Sequence, residues 1–154
     1  MEFLILFYFL LSYGPTQIEN GNIQQIEQTK QVDVRYERLD VFFESFNSPF
    51  RKYSSSFVEV ADKYGLDYRL LASVSCVESS CGKNYKNNAF GWDSDRVDFG
   101  PDVDDLDAIA NKITTLSYYK EYKRSGRLYD FANAYNGSYA QEYYEKLKWF
   151  WDRI

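Results

Sequence analysis

Residues 67–82 constrain this chain more than any other stretch, because they carry a complete helix signal with a carboxylate set in its apolar stripe. Asp67 is a good N-cap and Gly82 a good left-handed stop. Between them Leu70, Leu71, Val74 and Val77 repeat with helical spacing. Glu78 falls four residues after Val74 and seven after Leu71, so it continues the stripe. An ionised carboxylate is costly there unless it is paired or faces a cleft. The negative end of the helix dipole disfavours its charge further. A neutral, half-buried Glu is the form a general acid takes. The alternative is a Glu paired with a Lys or Arg, or turned into water at a frayed helix end.

At 154 residues the chain suffices for one domain with a real core and a modest tail. It contains no histidine, which excludes a Ser-His-Asp triad, a His general base and a His-ligated zinc. Two cysteines are too few for a four-thiolate zinc site. The net charge of −5, without a basic patch, argues against nucleic acid as a partner. Chemistry is left to carboxylates, tyrosines, lysines and backbone donors. No cofactor is expected. The 15 Tyr, 12 Phe and 3 Trp suit a sugar-binding cleft and equally suit ordinary helix packing.

Cys76 and Cys81 are five residues apart. On one regular helix their Cα atoms would be roughly 8 Å apart and face directions about 140° apart. That exceeds disulfide reach. Two packed thiols are therefore expected, or a bridge if the helix unwinds before Cys81.

Residues 3–11 are almost purely apolar, too short for an ordinary membrane span but the length of a signal-peptide core. Residues 1–14 read as a signal peptide or a short membrane anchor, a truncated start being the remaining choice, and export is the expectation. Residues 15–34 are polar and read as a linker. The domain is placed at 35–154.

Leu39, Phe42, Phe43 and Phe46 make one helical face that ends at Ser48-Pro49. A second helix, capped by Ser54 or Ser55 and stopped by Gly65, buries Phe57, Val58, Ala61 and Tyr64. Lys83 to Asp105 lacks a helical period, and a loop that long in a compact domain points to function or a short hairpin. Ala89 to Trp92 and Val97 to Phe99 are the candidate strands. Asp residues 93, 95, 98, 102 and 104 offer second carboxylates but not the ligand pattern of an EF-hand, and no metal site is expected. Helix resumes through Leu106, Ile109, Ala110, Ile113 and Leu116 to Gly126, and again from about Tyr129 to Tyr135. Ser138 and Gln141 form a capping box for a last helix burying Ala140, Tyr144, Leu147, Trp151 and Ile154.

Three segments together resemble a family: Glu78-Ser79-Ser80-Cys81-Gly82-Lys83, Asn88-Ala89-Phe90-Gly91-Trp92 and Ala134-Tyr135-Asn136. They are similar to the mannosyl-glycoprotein endo-β-N-acetylglucosaminidase-like (glucosaminidase) domains of the lysozyme-like superfamily, which cut bacterial cell-wall glycan. The likeness covers roughly Leu39 to Trp149. It extends to lytic transglycosylases, which share the Glu-Ser pair and an Ala-x-Tyr-Asn segment, although their Gly-Leu-Met-Gln-type loop is missing here. The resemblance implies a mainly α (α+β lysozyme-like) fold, a helical bundle around the Glu-bearing helix with a short β-hairpin or loop flanking the cleft. It implies a glycosidase acting on β-1,4 bonds of peptidoglycan, with Glu78 as general acid. Tyr135 would stabilise positive charge at the sugar or orient its N-acetyl group. Ser79 would tie the Glu helix to the loop. Asn88, Phe90, Gly91, Trp92 and Asn136 would form the substrate-binding surroundings, Phe90 and Gly91 by shaping the loop. Lytic transglycosylation and a non-catalytic glycan-binding module are the alternatives. The partner implied is the peptidoglycan strand, met by a secreted or envelope-attached monomer.

Overall fold

The computed structural model describes residues 33–84, 88–91 and 104–154, and helix is the only regular structure among them. The expected leader and nearly all of the expected linker lie outside the described residues, as do Trp92 and the second candidate strand. Of the first candidate strand, Ala89 and Phe90 form a turn instead. Asn88 sets that turn, its Oδ1 accepting the N–H of Phe90 at 3.1 Å.

Helix α1 (Val34–Ser45) starts where Asp33 accepts the N–H of Arg35 at 2.9 Å. It buries Leu39, Phe42 and Phe43. Ser48 then caps a short 3-10 turn (Pro49–Tyr53), which lays Phe50 against Phe43 and Phe57 with ring centroids 6.1 and 5.7 Å away. Helix α2 (Ser54–Tyr64) runs straight on from that turn. The expected serine cap is therefore absent: Ser54 is already helical, and its hydroxyl donates to the Arg51 carbonyl at 2.8 Å. Gly65 ends α2 in the left-handed region, as its position predicts.

Helix α3 (Arg69–Ser79) is entered through Asp67, whose Oδ1 accepts the Arg69 N–H at 3.0 Å. Every residue from Leu70 to Cys76 is buried, so α3 runs through the core rather than along it. It ends three residues before Gly82, because Ser80 and Cys81 take positive φ values of 55° and 56°. This early end overturns the expectation of two packed thiols. The chain turns back, the Cys76 and Cys81 Cα atoms come within 3.6 Å, and the two sulfurs are bonded. The bridge forms under the one condition that geometry allows, a helix already unwound before Cys81.

Helix α4 (Asp104–Thr115) buries Leu106, Ile109, Ala110 and Ile113 and packs on α2, where Lys63 and Tyr64 both reach Asp107 at 2.5 and 2.9 Å. The single helix expected up to Gly126 is broken at Leu116, whose backbone is extended. Thr114 and Thr115 turn their hydroxyls back to carbonyls of the preceding turn, which weakens a helix end. A 3-10 turn (Ser117–Tyr119) buries Tyr119 before helix α5 (Lys120–Ser125). Helix α6 (Leu128–Asn136) follows, then a 3-10 turn (Gly137–Tyr139) and helix α7 (Ala140–Trp151). That turn displaces the expected capping box: Tyr139 precedes α7 without a side-chain cap, and Ser138 is exposed. Helix α7 packs beside α6 and against α3. It buries Tyr143 rather than the expected Tyr144, which is only half-buried.

Candidate active site

Glu78 stands in the last turn of α3 and is half-buried. Its Oε1 accepts a hydrogen bond of 2.5 Å from the Tyr143 hydroxyl of α7. Its Oε2 faces Gly91, so closely that a Cβ added there would lie 2.4 Å away. Gly91 also has φ +61°, a backbone state that glycine adopts freely. The loop backbone thus closes over the carboxyl where no side chain fits. Burial raises the Glu78 pKa above its ordinary value, while the Tyr143 hydrogen bond and the Lys146 charge pull it back in part. Among the described residues no Lys or Arg forms an ion pair with it, and Lys146 is itself paired to Glu142 at 2.7 Å. Neither alternative for Glu78, a salt bridge or a side chain turned into water, matches these contacts.

Tyr135 lies in the same cluster. Its hydroxyl donates to the Phe90 carbonyl, and its ring stacks on Tyr143 with centroids 5.2 Å apart and planes 8° from parallel. Phe131 continues the row toward Tyr119, with centroid distances of 5.3 and 5.6 Å. A file of aromatic rings therefore runs from the break after α4 to the Glu78 carboxyl. Burial raises the pKa of Tyr135 and of Tyr143 well above the usual phenol value, and the neighbouring Glu78 charge adds to this. Both hydroxyls are neutral at physiological pH, available as hydrogen-bond donors and not as bases.

The other expected site residues divide. Ser79 is buried, but its hydroxyl donates to Ser75 O at 2.7 Å and accepts the Gly82 N–H at 2.9 Å. It ties the helix to the turn that follows rather than to the central loop. Asn88 and Phe90 are buried and hold the turn that presents Gly91. Asn136 is exposed at the end of α6. Trp92 and Asp residues 93, 95, 98 and 102 lie outside the described residues. A surface groove of about 600 Å³ lies along α1, between Val34, Val41, Phe46 and Ile154, and does not include Glu78.

No family model, curated protein or solved structure matches this chain.

The residue that sequence reasoning missed is Tyr143. The signal was the pair Tyr143-Tyr144 in the last helix, where positions three and four after Ala140 both keep helical spacing.

Proposed function

We propose that the chain is a lysozyme-like glycosidase of the peptidoglycan-cleaving type, with Glu78 as its general acid. The observation that carries this reading is the Glu78 carboxyl itself: half-buried, raised in pKa, and held between a tyrosine hydroxyl and a glycine backbone. A carboxyl tuned upward by desolvation keeps its proton closer to neutral pH and can pass it to a leaving oxygen. Glu78 gives that proton to the glycosidic oxygen as the bond to the sugar's C1 breaks. The carboxylate then takes a proton from the incoming water. Two-carboxylate glycosidases would add a base or nucleophile. Assistance by the sugar's own N-acetyl group removes that need, and the resemblance allows it. Tyr143 is a positioning residue, and Tyr135 reaches the site through its hydrogen bond to the loop.

Lytic transglycosylation is the second reading, favoured by the Ala134-Tyr135-Asn136 segment, and a non-catalytic glycan-binding module the third. The setting proposed is outside the cytoplasm, and the Cys76–Cys81 bridge fits an oxidising compartment. Digestion of purified peptidoglycan followed by mass analysis tests all three. Fragments carrying a full reducing end support hydrolysis, whereas fragments lighter by one water mean transglycosylation. Strands bound but not cut, equally by wild type and Glu78→Gln, mean a binding module.

A further inference from the structure

The Cys76–Cys81 bridge encloses Glu78 in a loop of four intervening residues, at the point where α3 stops. Helix ends fray, because their last carbonyls lack partners within the helix. A frayed α3 would turn Glu78 into water and away from both Tyr143 and Gly91. The chain resists this with an unusual turn: Ser80, Cys81 and Gly82 are successive left-handed residues, with φ of 55°, 56° and 76°. Left-handed backbone is costly for residues with a Cβ and is ordinarily visited one residue at a time. Gly82 is also pressed against the Phe50 ring, where an added Cβ would meet carbon at 2.4 Å. The turn is pinned on the other side by Ser48, whose hydroxyl donates to the Cys81 carbonyl at 2.7 Å.

We propose that the Cys76–Cys81 disulfide is a positioning device for Glu78: it clamps the last turn of α3 so that the carboxyl stays between Tyr143 and Gly91. The inference rests on the reading of Glu78 as the acid. Both sulfur-bearing residues are buried, Cys76 at 3% and Cys81 at 2% exposure. A reductant therefore reaches the bridge through opening of this turn. With a small dithiol, one thiolate attacks a sulfur to form a mixed disulfide, and the second thiol closes the reagent's own ring. Cys76 and Cys81 are left as two thiols, and the dithiol carries away the disulfide. Burial raises the Glu78 pKa, and Tyr143 and Lys146 from α7 lower it in part, while Tyr135 from α6 stands close enough to feel the Glu78 charge. None of these side chains is altered by opening the bridge, so a change in Glu78 titration reports the movement of Glu78.

The test uses the full chain, oxidised, beside Cys76→Ala/Cys81→Ala and beside wild type reduced with dithiothreitol. Carboxyl carbon NMR follows Glu78, identified by its loss in Glu78→Gln. Turbidity of purified peptidoglycan follows cleavage. With the bridge open and the helical circular dichroism kept, the Glu78 pKa should fall toward the ordinary carboxyl value. The kcat should drop by about 10²-fold with KM little changed, as misplacement of a reacting group predicts. Reoxidation should restore both. Unchanged titration and rate in the open forms would overturn the proposal. So would loss of helix in both open forms, because the bridge would then hold the whole fold and not this turn. If opening moves the Glu78 pKa but the oxidised protein cuts no glycan, the clamp stands and the glycosidase reading fails. If the oxidised protein cuts and Glu78→Gln does not, while reduction changes nothing, the reverse holds.

Discussion

The Tyr143 hydroxyl donates to Glu78 Oε1 at 2.5 Å, joining two residues that lie 65 positions apart in the chain. The bond favours the charged carboxylate and so opposes the burial that raises the Glu78 pKa. Tyr143→Phe leaves the ring to stack on Tyr135 and removes this opposing pull. The Glu78 pKa should rise further, and the alkaline limb of the cleavage–pH profile should move to higher pH. The melting temperature should fall modestly, a hydrogen bond to a charged group being worth about 1.5–3 kcal/mol. Cleavage rates across pH and a thermal melt measure the two effects.

Glu78→Gln should lower cleavage by about 10²–10⁴-fold, the range of a general acid. It should also change the pH dependence of stability. The folded pKa of Glu78 lies above its unfolded value, so the folded state binds its proton more tightly. The stability this gives is complete below the unfolded pKa and is lost as pH rises through the folded pKa. Urea titrations should therefore show wild type weakening relative to Glu78→Gln from about pH 4 upward, starting near the ordinary Glu pKa. Parallel curves for the two proteins would mean that Glu78 is not desolvated.

Gly91→Ala and Gly65→Ala form a matched pair. Both positions have positive φ, +61° and +64°, and alanine should cost each about 1–2 kcal/mol in backbone strain. Only at Gly91 would the new methyl meet Glu78; at Gly65 nothing lies within 4 Å. Gly91→Ala should lose more stability in denaturant than Gly65→Ala, because it adds the clash to the strain, and only Gly91→Ala should lose cleavage. Equal activity in the two would show that the loop does not close over the acid.

Phe131→Ala removes a fully buried ring from the middle of the aromatic file between Tyr119 and Tyr135. The loss should be about 3–5 kcal/mol, the usual cost of deleting a buried phenyl group. Equilibrium unfolding of the purified variant measures it directly.

Glu78 is legible in the sequence because the stripe beneath it is local: Leu71, Val74 and Glu78 lie on one helix, and helix geometry alone places them together. Its partners are not legible in that way. Ala140, Tyr143 and Leu147 keep helical spacing, and so do Ala140, Tyr144 and Leu147. The difference appears only in the packed structure, where Tyr143 stacks on Tyr135 and reaches Glu78. The break at Leu116 is similar, since apolar spacing continues across it while the threonine hydroxyls and the burial of Tyr119 end the helix. The bridge depended on where α3 stops. Serine and cysteine at positive φ are seldom chosen by local preference, so Gly82 looked like the stop and Ser80 was the actual one.

The contact between α7 and Glu78 also orders events in synthesis. A ribosome releases α3 well before Tyr143 has been made, and until α7 docks the carboxyl lacks the Tyr143 hydroxyl and has less apolar cover. A chain whose α7 is not docked lacks the Tyr143 hydrogen bond and the share of burial that α7 gives Glu78. On the glycosidase reading proposed above, a polypeptide that has not yet docked α7 would be unarmed.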